Sequence, residues 1–179
     1  MNQGIIVYYS RTGTVRQLAD ALAEHLGWPV AEIADVKSRA GLSGDLRCVL
    51  DTLLHHPVQY RYSGPALDRY DHVIVLAPVW MGRLAAPMRS FLADNLTAMS
   101  HVAHVSAICV MAARGGYRAI TEISRLTART LASTLVVLQR DVLSGTVTAD
   151  IDRFAQSLRL ADLSAHPVQR PAWLSPNAT

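Results

Sequence analysis

The feature that most constrains this chain is an alternation of two kinds of segment. Short, continuous apolar runs rich in β-branched residues take turns with longer stretches whose apolar residues recur every three to four positions. A continuous run such as Gly-Ile-Ile-Val-Tyr-Tyr at 4–9 suits a strand buried on both faces, as in a parallel sheet; a half-solvated strand would alternate apolar with polar. Residues 14–26 then place Val15, Leu18, Ala19, Leu22, Ala23 and Leu26 on one helical face, with Gly27 as a stop. The same reading gives further strands at 29–33, 71–77, 101–112 and 134–140, and further helices at 46–54, 85–96, 117–131 and 149–160. Pro78 is expected to end the third strand, and Pro87 fits only in the first turn of its helix. Residues 55–68 carry Pro57, Gly64 and Pro65 and read as irregular. Five strands alternating with five helices imply one doubly wound α/β domain over 1–165. Its sheet is five-stranded and parallel, in the order 2-1-3-4-5, and a proline-containing tail follows at 166–179.

Composition removes several alternatives. Of 179 residues, 50% are hydrophobic and 17% charged, which supports a full core and excludes intrinsic disorder. Two cysteines, Cys48 and Cys109, both in apolar stretches, cannot staple a chain of this length and read as reduced thiols in a cytoplasmic protein. Seventeen basic residues against fourteen acidic give +3, but no run of five basic residues exists, so a linear nucleic-acid patch has no support. The one lysine, Lys37, follows Val36, which excludes a Gly-Lys-Ser/Thr phosphate loop. No apolar stretch approaches the ~20 residues of a spanning helix, so no integral membrane segment is expected. His55-His56 and the His101/His104 pair lack the companions of a metal site, and no Gly-x-Ser-x-Gly elbow occurs. A phosphoacceptor receiver shares the strand order but needs an aspartate at the end of strand three, and Asp71 lies at its start.

Ligands of such sheets bind at the carboxyl ends of the strands, near the point where the strand order reverses. After strand one comes Ser10-Arg11-Thr12-Gly13-Thr14, opening directly into a helix. Hydroxyls, a glycine and free amides at a helix N-terminus suit an anion, although the same residues serve as an ordinary cap. After strand three comes Pro78-Val79-Trp80-Met81-Gly82, whose tryptophan is placed to stack on a planar ligand or to pack on its own helix. After strand four comes Ala113-Arg114-Gly115-Gly116, small enough for backbone to approach a ligand closely, or for a simple turn. In the order 2-1-3-4-5 these three strands are neighbours, so the loops converge on one place.

The segments IIVYYSRTGTVRQLADAL and YDHVIVLAPVWMGRLAAPMRSFL, with the Gly115-Gly116 loop, resemble the flavodoxins and flavodoxin-like FMN proteins. The likeness runs from about Ile5 to Gly145. It implies a flavodoxin-like fold with FMN as cofactor. By that resemblance Ser10, Arg11, Thr12, Gly13 and Thr14 hold the FMN phosphate. Pro78, Val79, Trp80, Met81 and Gly82 line the ring, with Ala113, Arg114, Gly115 and Gly116 on its other side. One departure is Val15, where the family pattern has a hydroxyl; losing that contact costs about 1 kcal/mol of phosphate binding.

No side chain in these loops stands out as a proton donor, so no catalytic residue is assigned. Three readings stay open. The first is an NAD(P)H-dependent oxidoreductase that reduces a quinone or similar acceptor, the second a one-electron carrier for an acidic redox partner. The third is a non-catalytic domain with weak or no flavin binding. The basic balance, with Arg83 and Arg114 beside the expected ring, departs from the acidic electron carriers and favours the first.

Overall fold

The computed structural model describes residues 4–36 and 58–165. The helix expected at 46–54, Cys48, His55-His56 and the tail at 166–179 lie outside the described residues.

The expected frame is present. Strand β1 (Gly4–Tyr9) is buried along its whole length and leads into α1 (Thr14–Leu26), which ends on Gly27 in the left-handed region. The chain continues through β2 (Val30–Asp35), β3 (Tyr60–Tyr62), β4 (His72–Trp80), β5 (Arg83–Leu84), α2 (Ala86–Asp94) and α3 (Leu96–His101). It closes with β6 (His104–Met111), α4 (Gly116–Thr127), β7 (Thr134–Leu138), α5 (Gln139–Leu143) and α6 (Thr148–Ala165). The strands β2, β1, β4, β6 and β7 pair in parallel, in that order, which is the expected 2-1-3-4-5 arrangement.

Alternate residues of the central strands feed two apolar layers. Ile6, Tyr8, Ile74, Leu76 and Ile108 meet Val15, Leu18 and Leu22 of α1 and Phe154 and Leu158 of α6. Ile5, Val7, Val73, Val75 and Cys109 meet Met88 and Phe91 of α2 and Ile123 of α4. Both faces of the sheet are covered, which is why its strands read as unbroken apolar runs.

Among the described residues the sheet has seven strands rather than five. Within the stretch read as irregular, Tyr60–Tyr62 pairs antiparallel with β2, held by Tyr60 and Tyr62 packing on Phe91 at ring distances of 5.7 and 4.9 Å. Three residues are too few to carry a periodic signal. The third strand runs through Pro78 to Trp80. The Pro78 carbonyl accepts from Ala85 N–H at 3.2 Å, so its ring nitrogen faces the same side, beyond the end of the β1 ladder at Leu76. The helix expected at 85–96 is two helices sharing Asn95, whose N–H donates to Phe91 and whose carbonyl accepts from Met99. That second helix absorbs His101, so the fourth strand starts at His104. Helix α4 stops at Thr127, before the expected 131, because Ala128 turns left-handed at φ 51°. The fifth strand gives way at Gln139 to a short helix.

At the amino edge of the sheet His72 is 1% exposed, with Nε2 2.9 Å from Ser106 Oγ and its ring between Trp28 and His104. Burial, with His104 acting in the same direction, pushes its pKa down to about 4. The fold therefore holds His72 neutral, while the unfolded chain binds a proton near pH 6.5. Stability is expected in full above pH 6.5 and to fall by about 3 kcal/mol as pH drops from 6.5 to 4. Urea titrations across that range check this; His72→Gln should flatten the slope, and an equal slope in the variant would reject the assignment.

Candidate functional site

Because β1, β4 and β6 are adjacent, the chain leaves the sheet at three neighbouring points along its carboxyl edge. At the first, Gly13 takes φ 90° and α1 begins with no side-chain cap and no acidic residue in its first turn. The early amides of a thirteen-residue helix thus point outward with its positive dipole end. Ser10 Oγ is buried here and has no hydrogen-bond partner among the described residues. Such an orphan costs about 1–3 kcal/mol unless a ligand satisfies it. Thr12 and Gly13 are exposed, Arg11 is half-buried, and the Thr12 and Thr14 hydroxyls lie 3.4 Å apart. Val15 is 3% exposed and packs into the α1 layer, so position 15 supplies core where the family pattern has a hydroxyl.

The second exit is a β-hairpin, where the sequence reads as a strand-to-helix loop. Val79 pairs with Leu84 and Trp80 with Arg83, and the two-residue turn has Met81 at φ 50° and Gly82 at φ 76°. Both central residues are left-handed, as a type I′ turn requires. Met81 adopts that strained conformation while its side chain stands 69% exposed. Trp80 is half-buried and meets Tyr9 edge-on, with ring centroids 5.8 Å apart. Tyr9 in turn donates to Asp35 Oδ2 at 2.9 Å, which ties the tryptophan's support to the end of β2.

The third exit follows β6. Ala113 and Arg114 are exposed, and Gly115 takes φ 96° as α4 starts. A methyl group on Gly115 would lie 2.2 Å from Gly82 Cα, so this loop abuts the hairpin backbone to backbone. On Gly116 it would lie 2.3 Å from Val136 Cγ1.

The structure brings Pro78–Gly82 against Ala113–Gly116 and sets Ser10–Thr14 beside them through the Tyr9–Trp80 contact. Tyr9 and Asp35 were not legible as site residues, since one looks like a strand position and the other like a strand end. Also missed was a buried ion pair between α2 and α4: Arg89 Nη1 stands 3.7 Å from Glu122 Oε1, and Glu122 Oε2 accepts from Leu84 N–H at 3.3 Å. The groups Arg118, Glu122 and Arg125 stand one turn apart on a helix, and that spacing was the available signal.

No protein-family model and no curated protein matches the chain. Solved structures do. A flavoprotein from Lactobacillus acidophilus, solved in complex with FMN, is similar with a TM-score of 0.66 at 16% identity, over 87% of this chain and 99% of that one. An NADH:FMN oxidoreductase in its apo form gives 0.57 at 16% identity, over 97% and 100%. A flavodoxin, WrbA-like protein from Agrobacterium tumefaciens gives 0.53 at 12% identity, over 92% and 98%. At these identities the likeness is one of fold, and the fold is flavodoxin-like.

The contact between the two glycine turns has a direct test. Gly115 and Gly145 both have positive φ, but a methyl group meets nothing within 4 Å at Gly145. Gly145→Ala is expected to cost about 1 kcal/mol of conformational strain, and Gly115→Ala at least 1 kcal/mol more. Denaturant unfolding reads the difference; equal losses would mean that hairpin and loop do not touch.

Proposed function

We propose that this flavodoxin-like chain is an FMN-dependent redox protein, acting as an NAD(P)H-dependent oxidoreductase on a quinone or similar acceptor. The observation that carries the reading is the buried, partnerless Ser10 Oγ at the uncapped N-terminus of α1. A hydroxyl left without a partner beside outward-pointing amides fits a phosphate, which accepts from all of them. The structurally similar flavoprotein from L. acidophilus is solved with FMN, and another similar structure is an NADH:FMN oxidoreductase, which supports both halves of the reading.

In this reading bound FMN supplies the hydride and electron chemistry, and the chain positions it. Ser10, Thr12, Thr14 and the α1 amides would hold its phosphate. Gly13 has no side chain to cap the helix and so leaves those amides to the ligand. Trp80, braced edge-on by Tyr9, would stack on the ring, with the Gly115-Gly116 backbone beside it. Arg114 on that loop is an exposed cation that favours negative charge on the ring, and hence two-electron reduction. The same reading puts the protein in the cytoplasm, where the buried free thiol of Cys109 stays reduced. Among the described residues no helix is long and apolar enough to cross a membrane.

Replacing Ser10 by Ala separates ligand binding from stability. Ser10→Ala is expected to weaken FMN binding about tenfold while leaving the fold unchanged or slightly more stable, since the lost hydroxyl has no partner to abandon. Thr12→Glu should abolish binding by repelling the phosphate. Unchanged FMN affinity in both variants would reject the phosphate site.

The ring position and the electron donor have separate readouts. FMN should quench tryptophan fluorescence, and Trp80→Ala should remove most of that response; quenching that survives intact places the ring elsewhere. The FMN-loaded protein should bleach rapidly with NADH or NADPH and recover its colour on adding a quinone. A protein that stays yellow with both donors is not this enzyme.

A further inference from the structure

Beside the hairpin lies a second concavity that the flavin reading does not use. It has a volume of about 320 Å³ and is lined by Gly82, Arg83, Arg118, Thr121, Glu122 and Arg125. Arg118, Thr121, Glu122 and Arg125 fall at positions i, i+3, i+4 and i+7 of α4 and so share one face, while Arg83 comes from β5.

Among the described residues the charge of this lining is lopsided, with three guanidinium groups against one carboxylate. The carboxylate is moreover committed elsewhere. Glu122 faces the buried Arg89, 7% exposed, at 3.7 Å, and its other oxygen accepts from the backbone of Leu84. Counting Arg89, these residues comprise four guanidinium groups and one carboxylate. Burial pushes the Arg89 pKa down, Arg83 adds to that direction and Glu122 opposes it, so the excess positive charge is felt at the buried pair. The Thr121 hydroxyl donates to its own helix at Tyr117, and Arg118 and Arg125, both exposed, supply guanidinium donors to the lining. Planar forks of this kind match the oxygens of a phosphoryl group.

We propose that the cavity between β5 and α4 is an anion subsite that takes a phosphoryl group of a phosphorylated co-substrate. Its volume stands at the small end of the roughly 300–1,000 Å³ range of small-molecule sites, so it holds one end of a ligand and not a whole dinucleotide. Gly82 belongs to both the cavity and the turn beside the expected ring. A ligand anchored here by phosphate therefore passes over the Met81–Gly82 turn toward that ring. This direction rests on the flavin reading; the subsite itself does not. For a nicotinamide dinucleotide the phosphoryl group comes either from a ribose monoester or from the diphosphate bridge.

Calorimetric titration of the full chain, with and without FMN, tests this with adenosine 2′,5′-bisphosphate and adenosine 5′-diphosphate as probes. At least one should bind, with an affinity that falls steeply with salt and drops about tenfold in Arg118→Ala or Arg125→Ala, both exposed positions. Binding of the bisphosphate alone identifies the monoester, and binding of the diphosphate alone identifies the bridge. The FMN affinity of both variants should be unchanged. Failure of both probes to bind at millimolar concentration overturns the subsite, as does binding unaltered in Arg118→Ala/Arg125→Ala. A loss of FMN affinity in that double variant would overturn it too, because the anion held there would be the FMN phosphate. A wild-type protein that binds a probe but not FMN would instead refute the flavin reading and keep this one.

Discussion

Parallel pairing of β1 with β4, and of β4 with β6, decides which chain segments meet at the carboxyl edge. In a parallel ladder every strand leaves the sheet on the same side, so three consecutive exits are each one strand spacing, roughly 5 Å, from the next, and the outer two about 10 Å apart. The two apolar layers lock that register: moving β4 by one residue would turn Val73 and Val75 out of one layer and Ile74 and Leu76 out of the other. The three exits then differ in what they can do. The first is an uncapped helix start with an unsatisfied hydroxyl, the second a rigid hairpin carrying Trp80, and the third a glycine turn pressed onto that hairpin. A phosphate, a flat ring and a backbone approach are the corresponding ligand features.

Much of this was legible in the order of residues. The runs at 4–9 and 72–77 are apolar because both faces are covered, and continuous apolarity is what survives in sequence from a buried parallel strand. The position of Ser10–Thr14 at a helix start followed from the same pattern. What stayed hidden depends on partners distant in the chain. The antiparallel strand at Tyr60–Tyr62 exists because Phe91 receives its aromatic rings, and nothing within three residues announces that. Pro78 looks like a stop, yet its nitrogen faces a side where β1 has already ended. The Met81–Gly82 turn escaped notice because the usual hairpin signal is Asn-Gly or Asp-Gly, and methionine rarely takes φ 50°.

Charge is distributed in a way that composition alone conceals. A net of +3 over 179 residues is slight, but sixteen of seventeen basic residues are arginines; one of them faces Glu122, and three more line the same cavity as that carboxylate. The buried Arg89–Glu122 pair joins α2, α4 and the end of β5, so it anchors the hairpin from behind while Gly115 fixes it from the side. Removing one partner of such a pair strands a buried charge, at a cost of about 3–5 kcal/mol. The hairpin is therefore held by electrostatics on one flank and by backbone packing on the other.

The central claim is that the carboxyl edge recognises a flavin through its phosphate. Equilibrium titration of the apo-protein with FMN and with riboflavin, which lacks only the phosphate, tests it most directly. The expected result is that FMN binds at least about a hundredfold more tightly than riboflavin, because the phosphate accepts several charge-assisted hydrogen bonds from Ser10, the threonines and the α1 amides. Equal affinities, or binding of neither, would contradict it.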